Sequence, residues 1–154
     1  MQLSEGLSKM EDKLYKAFVN ATRDVFNLMF NISEDTDHPA DNFNCDNEID
    51  ISVGIVGDLH GEVIYRFPVS TSINMVNIMS GMQFEMVDAF VTSAISEIAN
   101  IISGNVFNAL SYNNIKCNIL PPVLYTYTDK EYKNGASCCI CTAIGEICLE
   151  IRLN

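Results

Sequence analysis

Residues 49–69 read IDISVGIVGDLHGEVIYRFPV, and two β-rich runs within them decide the fold class. The runs 49–56 (IDISVGIV) and 62–69 (EVIYRFPV) flank the link Gly57-Asp58-Leu59-His60-Gly61. So short a link with glycine at both ends predicts an antiparallel hairpin.

Helix-like segments lie on both sides of the hairpin. Upstream, residues 9–30 place Leu14, Phe18, Val25, Leu28 and Met29 at three- and four-residue steps, the signature of an amphipathic helix. The polar stretch that follows, with Pro39, predicts a loop ending in a strand. Downstream, SINMVNIMSG predicts a short helix closed at Gly81 by a left-handed cap. A second long helix is expected over about 84–103, closing at Gly104. The remainder, about 115–127 and 136–153, predicts one long strand interrupted at Pro121-Pro122 and a further strand pair, with Lys133-Asn134-Gly135 as the turn between. The expected architecture is a single α+β domain over 1–154, with residues 1–9 as a flexible N-terminus. A mainly antiparallel sheet carries two long helices and one short helix on one face.

Composition agrees with a folded domain: 154 residues, 48% hydrophobic and 19% charged. The 20 acidic against 9 basic residues give a net charge of -11, a field that repels polyanions and argues against nucleic acid as a partner. No uninterrupted apolar run approaches the roughly 18 residues of a membrane span. The N-terminus has neither the basic nor the apolar segment of a secretory signal, so a cytoplasmic location is expected.

The six cysteines are Cys45, Cys117, Cys138, Cys139, Cys141 and Cys148, four of them in the strand-like run ASCCICTAIGEICLEI, and His38 and His60 show no ligand spacing. They are expected to be reduced thiols acting as small hydrophobes, with Cys139 and Cys141 on one strand face and Cys138 on the other. No metal site is expected.

The chemistry concentrates on residues 87–104. At about 100° per residue, Val87, Phe90, Val91, Ala94, Ile95, Ile98, Ile101 and Ile102 are expected to form a stripe toward the sheet. Ser93, Glu97 and Asn100 cluster just outside it, within about 60° of one another, flanked by Ala89 and Ser96. Between Val87 and Gly104 the only charged residues are Asp88 and Glu97. A face so poor in charge is smooth enough for another surface to approach closely. An echo of the pattern lies 73 residues upstream, where Asp24-Val25-Phe26-Asn27-Leu28-Met29 matches Glu97-Ile98-Ala99-Asn100-Ile101-Ile102 in kind.

The run Ser93-Ala-Ile-Ser-Glu97-Ile-Ala-Asn100, followed by IISGN, resembles the helix motif of the CheC/CheX/FliY chemotaxis phosphatase family. With the GDLHGEVIYRF hairpin and the IMSGM segment, the likeness is greatest to its CheX branch and covers roughly residues 10–154. The resemblance implies a phosphatase acting on the aspartyl phosphate of a CheY-type receiver. Asn100 would orient the attacking water, Glu97 would pair with the receiver's active-site Lys, and Ser93, Ser96 and Ala89 would border the contact. It further implies a homodimer with sheet edges meeting, for which AIGEICLEIRL would be an edge that needs covering, and no cofactor of its own, Mg²⁺ being supplied by the receiver. Asp24 and Asn27 would be a degenerate second site, since Asp24 is one methylene shorter than Glu. The same helix would equally serve a non-catalytic receiver-binding or flagellar-switch adaptor.

Overall fold

The computed structural model describes residues 2–33, 35–39, 47–125 and 134–154. Three helices, α1 (Gln2–Phe30), α2 (Val69–Ser80) and α3 (Ala89–Ser111), accompany seven strands: β1 (Asp35–Pro39), β2 (Glu48–Gly57), β3 (Gly61–Pro68), β4 (Cys117–Ile119), β5 (Val123–Leu124), β6 (Asn134–Thr142) and β7 (Gly145–Leu153). One antiparallel sheet runs β1-β6-β7-β3-β2-β4, and β5 pairs with β2. The expected hairpin is β2–β3, with Ile51 opposite Tyr65 and Val53 opposite Val63.

Strand alternation gives the sheet two unlike faces. Ile51, Val53, Ile55, Val63, Tyr65, Phe67, Leu149 and Ile151 are buried in the core, each contributing about 1.5–3 kcal/mol relative to exposure. The helices cover this face. Phe18 of α1 meets Phe107 of α3 edge to face at 6.1 Å and Tyr65 of β3 at 6.4 Å, tying both long helices to one strand. The other face carries a polar layer. Arg66 bridges Glu48 at 3.3 Å and Glu150 at 2.9 Å, and Arg152 pairs with Glu150 at 2.9 Å.

Several expectations are corrected. The segment read as a loop contains β1, a charged strand on β6 whose DTDHP sequence lacks apolar alternation because it lies at the sheet edge. Strand β7 is not an edge: it pairs with β6 and β3, so its apolar composition reflects burial within the sheet. Asn134 and Gly135 begin β6, and the tight turn is Ala143-Ile144 before Gly145, whose φ is 138°. Lys133 and Cys45 lie outside the described residues. Leu28 points outward, 85% exposed.

The caps explain where the helices stop. Gly81 is left-handed, φ 70°, and its N–H donates to the Asn77 carbonyl at 3.0 Å, as expected. By contrast α3 passes through Gly104 to Ser111, and the turn that follows closes at Asn114, also left-handed at φ 63°. There the Ile115 N–H reaches the Leu110 carbonyl and the Asn114 N–H that of Ser111, both at 3.2 Å. Buried Ile115 packs in the same core as Leu110, which completes a Schellman closure.

Candidate functional site on the outer face of α3

Helix α3 begins at Asp88, whose carboxylate accepts the Val91 N–H at 2.9 Å. Its 23 residues are apolar and long enough to cross a bilayer by length and composition. Here that apolarity is used in the core. Val91, Ile95, Ile98, Ala99, Ile102, Ser103, Val106, Phe107 and Leu110 are all buried. The buried hydroxyls of Tyr65 and Ser103, 2.6 Å apart, pin the helix to β3.

The opposite side is the candidate site. Ser93, Glu97 and Ala89 are exposed, and Ser96 and Asn100 are half-buried at the margin. Glu97 and Asn100 sit three residues apart, about 4.5 Å along the axis, so both can touch one incoming group. Neither side chain makes a hydrogen bond or ion pair with the described residues, whereas other polar side chains of α3, such as Ser103 and Ser111, do. A carboxylate offers only acceptors, and a carboxamide offers both a donor and an acceptor. Held outward on a rigid helix and without internal partners, the pair is free to engage an external cation, water or phosphoryl group.

One expected stripe residue is misplaced. Phe90 is 56% exposed, because seven residues return the helix to within about 20° of Glu97. The buried stripe is centred farther round, on Ile95, Ala99 and Val106. Apolarity had suggested the sheet side for Phe90, where the angle does not.

The upstream echo is also outward-facing. Asp24 and Asn27 are exposed on α1, which packs beside α3. Asp24 borders the groove between the two helices with Asn105 and Asn108. Its surroundings differ from those of Glu97: Lys13 and Lys16 line the same groove, and the neighbouring Arg23 pairs with Asp37 at 2.7 Å.

The cysteines fall as the alternation requires, with Cys138 within the helix-side core cluster and Cys139 opposite Cys148 across the β6–β7 ladder. Burial pushes the Cys138 and Cys148 thiols up, to about 12 and about 11, which suppresses the reactive thiolate. Among the described residues no group of three or more His, Cys, Asp or Glu is placed to hold a metal ion.

Comparison with known proteins bears on the fold and the family. A curated relative, the CheY-P phosphatase CheX of Thermotoga maritima, is 23% identical over 128 residues, covering 81% of this chain and 83% of the relative. The fold matches the chemotaxis protein CheX of Desulfovibrio desulfuricans with a TM-score of 0.76 at 23% identity, over 92% of this chain and 99% of that one. It also matches a chain of the CheX–CheY–BeF3–Mg²⁺ complex of Borrelia burgdorferi, with a TM-score of 0.75 at 17% identity over 91% and 97%. The profile of the family described as "Chemotaxis phosphatase CheX" matches residues 49–144. With that span running from the central hairpin through the whole of α3, the chain belongs to the CheX chemotaxis phosphatase family.

Proposed function

We propose that this protein hydrolyses the aspartyl phosphate of a CheY-type receiver, presenting the outer face of α3 to the phosphorylated pocket. The observation that carries the reading is the pair Glu97 and Asn100, outward on a nearly uncharged helix face and unpartnered among the described residues. The relative in Thermotoga maritima, a CheY-P phosphatase, supports the choice of substrate.

An aspartyl phosphate is a reactive acyl phosphate, so the chemical demand is modest. A water must stand in line with phosphorus, opposite the aspartyl oxygen. The Asn100 carboxamide oxygen accepts a hydrogen bond from that water and orients its lone pair, which needs no pKa near neutrality. The water oxygen bonds to phosphorus, the bond from phosphorus to the aspartyl oxygen breaks, and inorganic phosphate and a free carboxylate leave. Glu97 pairs with the receiver's Lys and fixes the depth of insertion. Ser93, Ser96 and Ala89 border the contact. Mg²⁺ would arrive with the receiver, and no group of this chain is asked to hold it.

Asp24 and Asn27 act as a degenerate copy on this reading, so Asn27→Ala leaves turnover intact. The protein would work in the cytoplasm. The homodimer implied by family resemblance would have to meet at β1 or at the β4–β5 edge, since β7 is paired on both sides.

The test is single-turnover decay of a phosphorylated receiver with and without the protein. Decay should accelerate, and Asn100→Ala should remove about 10²-fold or more of that acceleration while binding of the beryllofluoride-loaded receiver persists. Equal decay with and without the wild-type chain would leave a non-catalytic adaptor instead.

A further inference from the structure

The exposed apolar side chains are unevenly distributed. Residues 78–90 alone expose Ile78, Met79, Met82, Met86 and Phe90, with Met82 60% and Met86 70% accessible. This segment leads directly into the face of α3 that carries Glu97 and Asn100. Phe90 lies on that face, about 10 Å along the axis from Glu97.

The patch is pre-built. The Phe84 ring stacks on Phe90 at 5.3 Å with 9° between planes, and Phe84 itself packs against the core. The connection that carries it is held at both ends. Asn77 Oδ1 accepts the Phe84 N–H at 2.7 Å, and Asp88 caps the first turn of α3. An aromatic pair fixed in this way loses little entropy on binding, and the exposed Met82 and Met86, each two residues from Phe84 in the chain, can adapt to the surface they meet.

We propose that the Phe84–Phe90 stack, with Met82 and Met86, is the apolar anchor that seats the phosphorylated receiver. The proposal rests on the reading of Glu97 and Asn100 given above. Two arguments select this occupant. A protein interface of ordinary size covers about 800 Å² per partner, so any protein placed over Glu97 and Asn100 also covers a side chain about 10 Å away on the same face. Charge points the same way. A chain of net charge -11 gains no long-range attraction toward an anionic phosphorylated pocket, so its affinity must come from desolvated apolar contact near the catalytic pair.

The experiment compares Phe90→Ala with wild type, and with Leu124→Ala on β5 as an equally exposed control. Readouts are KM and kcat for the phosphorylated receiver, Kd for its beryllofluoride-loaded form, and sedimentation of the phosphatase alone. Phe90→Ala should raise KM and Kd tenfold or more with kcat unchanged, and Leu124→Ala should change neither. An active wild type whose KM and Kd move less than twofold on Phe90→Ala overturns the anchor and leaves the catalytic reading standing. A wild type that binds without hastening decay removes the catalytic reading, and the Kd comparison then decides the anchor alone. Loss of self-association in Phe90→Ala at unchanged Kd assigns the patch to a second copy and overturns the proposal.

Discussion

The hydroxyls of Tyr65 and Ser103 meet at 2.6 Å between β3 and α3, both fully buried. Ser103 lies about 120° round the helix from Glu97, so this bond helps fix the rotation that turns Glu97 and Asn100 away from the core. The two ends are not equivalent when deleted. Ser103→Ala strands a phenol hydroxyl in the core, at about 1–3 kcal/mol. Tyr65→Phe leaves a serine hydroxyl that can turn back to the carbonyl one turn earlier, at about 1 kcal/mol. Urea unfolding should therefore rank Ser103→Ala as the more damaging change, and equal losses would mean that the phenol finds another acceptor.

Gly104 occupies the interior of α3, and a methyl group placed there meets nothing within 4 Å. Glycine in a helix costs about 0.5–1 kcal/mol relative to alanine. Gly104→Ala should raise the unfolding free energy by that amount, read as a higher urea midpoint at unchanged slope. A lower midpoint would show that the backbone there is not relaxed helix.

The same residue shows what a sequence can and cannot disclose. Local signals were legible: the hairpin from its glycine-bounded link, the end of α2 from Gly81, the alternation of Cys138 and Cys139. Gly104 looked like a stop because propensity is local. Buried Val106, Phe107 and Leu110 beyond it continue the helix, and tertiary packing outweighs one glycine. The turn that closes the helix end at Asn114 carries a usable signal, asparagine being the other residue that tolerates a left-handed conformation. Strand order was not legible, since β7 between β6 and β3 depends on pairings distant in sequence. The site was half legible. Helical spacing puts Ser93, Glu97 and Asn100 on one face, whereas the apolarity of Phe90 points to the core and only its angle places it beside Glu97.

Glu97 offers a separation of function from stability. Without an internal partner among the described residues, Glu97→Ala should leave the unfolding free energy within about 0.5 kcal/mol. In the proposed ion-pair role its removal would strand the receiver's Lys, a change of about 2–5 kcal/mol, so kcat/KM should drop about 10²-fold or more, and Glu97→Gln should drop similarly. A large stability loss, or activity retained in Glu97→Gln, would remove the ion-pair role.

The polar sheet face carries a pH signature. Glu48 and Asp50 share a side of β2 beside Arg66, and Glu48 Oε2 and Asp50 Oδ1 are buried with no hydrogen-bond partner among the described residues. Burial, followed by the negative charge of Asp50, pushes the Glu48 carboxyl up to about 7 against the opposing pull of Arg66. Burial raises Asp50 as well. A proton resting on Glu48 would bridge the two oxygens. Between the ordinary carboxyl range and about pH 7 the folded chain therefore holds a proton that the unfolded chain releases. Stability must fall as pH rises through this window and level off above it. Glu62, Glu150 and Arg152 face the same layer, so the contribution of Glu48 is read from the difference between variants. Urea unfolding from pH 5 to 8 should give a downward slope for wild type and a flatter one for Glu48→Gln, with the variant more stable at pH 8. If Glu48→Gln retains the full wild-type slope, the proton resides elsewhere.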